Sequence, residues 1–231
     1  MKKFLSVMCV FVFVFASVLS SASASPLEYR KISVDQYKEY LREKSRNDNL
    51  AKESLDKFNE LSLREQQRFI ELMNNPQAQL EALEALATLE NGQTKSLYNG
   101  DIIVSKSVEK FYDNKAKAAA PQLQQSNGVY QETLTLLGLP VTIFKIQVWF
   151  KYDPSNHVVH ETLRSEESHW NINLGTLVDD LGSEHWVSGT LACAMGKFKV
   201  SLTIVGGAIS TTHKLYIQCD DIDVGGWMET F

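Results

Sequence analysis

Little in this 231-residue chain marks a reaction, and its absences are the first guide. It holds three cysteines, and one of them, Cys9, sits inside an apolar run near the start. Too few remain for a disulfide scaffold, so a hydrophobic core must carry most of the stability. Positive charge is also in short supply: 23 Lys and Arg stand against 28 Asp and Glu, for a formal charge of −5. Non-specific nucleic-acid binding depends on Lys and Arg neutralising phosphates, so an acidic chain without a basic cluster argues against it. The same balance gives no general attraction to anionic membranes. No apolar run after residue 19 is long enough to cross a bilayer, so no transmembrane anchor is expected. G-x-S-x-G, P-loop, G-x-G-x-x-G, H-E-x-x-H and H-x-x-E-H motifs are all missing. No catalytic residue, metal ligand or cofactor site is therefore assigned, although a triad assembled from distant residues leaves no such signature.

What is present begins at the first residues. Lys2 and Lys3 precede an almost unbroken apolar run from Phe4 to Leu19, and Ala22-Ser23-Ala24 places small residues where a signal peptidase reads. The expectation is a signal peptide over residues 1–24, a mature chain from Ser25 and an extracellular location. The run is too short for a stable anchor. Leu139-Pro140-Val141-Thr142 opens like a wall-sorting signal, but Ile143 replaces the glycine and no apolar tail follows. Losing Lys2 and Lys3 moves the formal charge from −5 to −7, and the remaining chain of about 207 residues has room for one large domain or two small ones. Cys193 and Cys219 are the cysteines left. In a secreted chain they are expected to form a disulfide; the alternative is two reduced, buried small hydrophobes.

Two periodicities divide the mature chain into a helical region (25–92), a strand and linker (93–128) and an antiparallel β domain (129–231). Ser33 with Gln36, and Ser62 with Glu65, form capping-box patterns that open helices. Leu55, Phe58 and Leu61, then Phe69, Ile70, Leu72 and Met73, recur at helical spacing. Asn74-Asn75-Pro76 breaks one helix and starts another, which runs to Asn91-Gly92. The spacing predicts three or four short amphipathic helices, forming either a bundle core or a set that opens onto a membrane or partner. From residue 101 the period becomes two. Residues 114–128, rich in Ala, Gln and Lys with Pro121, have the composition of a solvated linker. Phe144, Ile146, Val148, Phe150 and Tyr152 share one face of a long strand, and Asp153 to Asn156 turn it back. Phe198, Val200, Leu202 and Ile204 form another apolar row, and Leu215, Ile217 and Cys219 a last one. The expected fold is α+β, a small helical region followed by an antiparallel β-sandwich-like domain. Cys193 shares parity with Leu191 and Met195, so both thiols are expected to face the core.

Four groups of residues could carry chemistry. His157 and His160 lie three apart, on opposite faces of a strand, and cannot share a metal locally. Ser168-His169-Trp170 and Glu184-His185-Trp186 form an internal echo. The four residues His169, Trp170, His185 and Trp186 could frame a sugar or peptide groove, because an aromatic face stacks on apolar sugar surface while His supplies hydrogen bonds. The plainer alternative is that both tryptophans fill core or rim positions. Asp220 to Gly226 could hold calcium but lacks the acidic spacing of an EF-hand. Glu166-Glu167 and Asp179-Asp180 are adjacent pairs that cannot be aimed at one substrate bond.

The chain resembles secreted Bacillus-type proteins related to the large, non-lantibiotic geobacillin bacteriocins. The resemblance rests on the signal peptide, on the segments from Lys57 to Phe69 and from Leu97 to Asp101, and on Leu137-Gly138-Leu139 and Gly225-Gly226-Trp227 in the β-rich end. It implies a secreted antibacterial protein acting on the envelope or a surface receptor of related Gram-positive bacteria. It supplies no catalytic or binding residues. The alternative is a non-toxic module that binds cell-wall or matrix polysaccharide, and a weaker third is a secreted hydrolase.

Overall fold

The structure is a computed structural model that describes residues 31–112, 123–206 and 209–231. The expected signal peptide and residues 114–122 of the expected linker lie outside the described residues.

Among the described residues four helices come first: α1 (Val34–Lys44), α2 (Asn49–Glu60), α3 (Leu63–Met73) and α4 (Pro76–Thr88). Their starts follow from local chemistry. Both capping boxes form, Ser33 with Gln36 and Ser62 with Glu65, and Pro76 occupies the first turn of α4. Asp48 and Asn75 cap α2 and α4 through their side-chain oxygens. Tyr37, Phe58 and Phe69 then meet with ring centroids 5.0 to 5.2 Å apart, fully buried between the first three helices.

Among the described residues, nine strands in two antiparallel sheets follow. The first holds β1 (Thr94–Leu97), β2 (Ile102–Tyr112), β3 (Gln124–Leu136), β4 (Leu139–Asp153) and β5 (Val158–Asn171), in that order. The second holds β6 (Thr176–Ser188), β7 (Leu191–Leu202), β8 (Ser210–Cys219) and β9 (Val224–Thr230), again in chain order. The sheets face each other. Phe144 of β4 meets Phe198 of β7 edge to face at 5.3 Å, and Phe144 to Tyr152 form the buried row that alternation requires. Leu137 and Gly138, both at positive φ, make the tight β3–β4 turn. His213 of β8 also lies in the core, stacked on Phe144 at 6.0 Å. Its two ring nitrogens meet the hydroxyls of Thr211 at 2.8 Å and Thr230 at 3.1 Å.

Helices and sheets share one buried cluster. Asn173 Nδ2 donates to Gln79 Oε1 at 2.6 Å, and Lys44 Nζ to the Asn171 carbonyl at 2.6 Å. At Gly175 a side chain is impossible, because a Cβ there would sit 2.4 Å from the Met73 carbonyl oxygen.

Three expectations need correction. Gln124–Gly128 belongs to β3, not to a linker. The strand ending at Cys219 is not the last: β9 follows and contains Gly225-Gly226. Cys193 and Cys219 are free thiols. Residues 191–202 form one continuous strand, so its inward row is Ala192, Ala194, Phe198 and Val200, and Cys193 points the other way. Cys219 pairs with Ala192 and faces inward against Gly128, while Cys193 pairs with Gln218. Side chains on opposite faces of a sheet cannot be bridged without moving the backbone.

Candidate functional site

The outward face of the second sheet follows from the same parity. Trp186, Cys193, Gln218 and Gly225 line up across β6 to β9, and Glu184, Met195, Tyr216 and Trp227 form the next row. Trp186 is 39% exposed and Trp227 40%. Met195 and Cys193 are buried beneath the taller side chains. Tyr216 and Trp227 stack with centroids 4.9 Å apart and planes within 5°. Cross-strand stacking at that spacing stands both rings upright, so each has one face covered by the other. Trp186 and Trp227 are three strand spacings and one row apart, about 16 Å. The face thus presents two separated aromatic contact points, farther apart than one small ring can touch.

Charge on this face is balanced. Asp179, Glu184 and Glu229 share it with Lys197, Lys199 and Lys214. Lys197 Nζ donates to Glu184 Oε1 at 2.8 Å, a bond that holds the Glu184 carboxyl below its usual range. Tyr216 donates its hydroxyl to Glu229 Oε2 at 3.2 Å; burial and that carboxylate push the phenol up. Lys214 Nζ lies 4.3 Å from the centroid of the Phe231 ring. Burial pushes the Cys193 thiol up, the opposite of what a thiolate nucleophile needs. The surface therefore offers aromatic contact and neutral or paired hydrogen-bonding groups.

The four residues of the His-Trp echo do not converge. Trp170 lies on β5 and turns toward the helices, donating Nε1–H to Asp48 Oδ2 at 2.8 Å; Trp186 stands on the outer face of the other sheet. The two histidines tie the edge strands β5 and β6 together. His169 Nδ1 meets Asp180 Oδ1 at 2.7 Å, His185 Nδ1 meets Thr162 Oγ1 at 2.9 Å, and Ser165 donates to Ser183 between them at 3.1 Å. Sequence reading singled out Trp186 and missed Tyr216, Trp227 and Met195. The signal for them was parity with Gln218 on β8, and it was masked because β9 was not expected.

The acidic run after β8 builds its own turn. Asp220 Oδ1 accepts from the backbone N–H groups of Ile222 and Asp223, both at 2.7 Å, and Asp221 Oδ2 meets His157 Nδ1 at 2.8 Å. Among the described residues no group of three or more His, Cys, Asp or Glu converges on a point. An apolar pocket of about 360 Å³ lies between α1 and the β5–β6 connection, lined by Ile32, Gln36, Leu174, Thr203 and Ile204, none of them titratable. No family model, curated protein or solved structure matches the chain.

Proposed function

We propose that the protein is a secreted glycan-binding module that attaches to cell-wall or matrix polysaccharide through the outer face of its second sheet. The observation that carries this reading is the placement of exposed Trp186 about 16 Å from exposed Trp227, itself stacked on half-buried Tyr216, on one open face. That span fits several linked sugars rather than one. Aromatic rings stack on the apolar faces of sugars, and Gln218, Glu184 and Lys197 stand between them to hydrogen-bond hydroxyls. The balanced charge favours a neutral polymer over an anionic one. Depletion assays with insoluble wall preparations and neutral polysaccharides test it. Replacing Trp186 and Trp227 together by Ala abolishes binding while circular dichroism stays unchanged; undiminished binding by that variant ends the proposal.

A second reading is antibacterial action on the envelope of related Gram-positive bacteria. One structural relation favours it. The two internal segments that carry the resemblance, Lys57 to Phe69 and Leu97 to Asp101, meet in space: Arg68 Nε donates to Asp101 Oδ2 at 2.7 Å, beside a groove lined by Arg64, Gln67, Glu71 and Leu137. Growth and membrane-potential assays on related strains, with protein starting at Ser25, decide it. Membrane insertion of the helices would have to break the Tyr37–Phe58–Phe69 cluster, so killing by insertion requires near-complete loss of tertiary structure at the target.

A further inference from the structure

Lys106 of β2 and Glu132 of β3 stand directly opposite each other and point between the sheets. Their side chains are 1% and 0% exposed, and Lys106 Nζ lies 3.3 Å from Glu132 Oε1. Tyr130, on the same face of β3, donates its hydroxyl to that same oxygen. The second carboxyl oxygen, Oε2, is buried and accepts no hydrogen bond. Phe144 pairs with Glu132 from β4, and the Tyr130 ring fills the space over Gly226, so the site is closed to solvent.

As an ion pair this arrangement is poor. Both charges lose hydration, and half of the carboxylate has no donor to replace water. In such surroundings a carboxyl group is favoured in its uncharged, protonated form. Burial pushes the Glu132 carboxyl up to about 7. A carboxylic acid and an amine are the two reactants of an amide, and here Lys106 Nζ is in direct contact with the Glu132 carboxyl group, 3.3 Å from Oε1.

We propose that Lys106 and Glu132 condense into an intramolecular amide that covalently joins β2 to β3. The lone pair of Lys106 Nζ attacks Glu132 Cδ, forming the C–N bond. The Tyr130 hydroxyl stabilises the charge that develops on Oε1, which becomes the amide oxygen. Oε2, held by nothing, departs with the carboxyl proton and one proton from nitrogen as a single water molecule. No electrons are gained or lost and no co-reactant is needed. Once formed, the amide is neutral and shielded from hydrolysis by the same packing that closes the site.

Mass spectrometry of the folded chain starting at Ser25 tests this directly. The expected result is an intact mass lower than the sequence mass by one water, and a branched tryptic peptide joining β2 to β3 with Lys106 uncleaved. Lys106→Met is expected to show the full sequence mass. Tyr130→Phe is expected to reach the cross-linked mass roughly a hundredfold more slowly after refolding, the usual cost of removing one such donor. Full sequence mass in the wild type, with a free peptide cut at Lys106, overturns the proposal whether or not either variant folds. A water deficit that maps to another residue pair overturns it as well.

Discussion

His213 makes the stability of this protein depend on pH, and the size of the effect follows from its surroundings. The ring is fully buried, stacked on Phe144, and held by the hydroxyls of Thr211 and Thr230. Burial lowers its pKa from 6.5 to about 4. A depressed folded value means that the unfolded chain binds the proton more tightly. The stabilisation of the neutral ring is therefore complete above about pH 6.5 and is lost as pH falls through about 4. A shift of that size corresponds to about 3 kcal/mol. His213→Gln removes the titration while leaving a polar partner for the threonines. Urea unfolding of both proteins between pH 7.5 and 4 measures it, and subtracting one curve from the other cancels every group the two share. The wild type is expected to lose about 3 kcal/mol relative to the variant across this window. Parallel curves would refute the argument that this histidine is buried neutral.

Other perturbations separate the remaining claims. Gly226→Ala places a Cβ 2.4 Å from the Tyr130 ring and is expected to cost about 1–3 kcal/mol in urea unfolding. Gly225→Ala, whose nearest neighbour is 3.8 Å away, stays within about 0.5 kcal/mol. Ser62→Ala removes the α3 capping box and lowers stability by about 1 kcal/mol. Phe69→Ala costs about 3–5 kcal/mol, and because helices and sheets share a core, far-ultraviolet dichroism and tryptophan fluorescence report the same midpoint; two separated transitions would count against that shared core. Thiol titration of protein starting at Ser25 finds both Cys193 and Cys219 reactive after denaturation without reductant, and neither before it.

Features governed by near neighbours in sequence were legible from it. Ser33 and Ser62 cap their helices through residues three positions away, and the Phe144-to-Tyr152 row follows from strict alternation. What failed depended on distant partners. Gly128 and Gly226 look like loop residues by composition. In the fold each is a strand residue whose missing side chain makes room, Gly128 for Cys219 and Gly226 for the Tyr130 ring. That space is visible only after the sheets are stacked. Residues 191–195 and 198–204, read as separate apolar rows, place Cys193 inward with Leu191 and Met195. A single strand through Gly196 fixes one parity for all of them. The separation of Trp170 from Trp186 was likewise hidden, since identical His-Trp neighbours sit on different sheets and only Asp48, 122 residues away, accounts for the orientation of the first.

In both sheets every strand pairs only with strands adjacent to it in sequence. A chain delivered from its amino end can therefore add each strand to one already in place, with no early strand waiting exposed for a late partner. Each addition closes only a short loop, so its entropic cost is small for a β-rich protein. The first sheet can be assembled before β6 exists and serve as the template on which the second is laid. A chain with this topology can thus begin to fold before its last strands have been made.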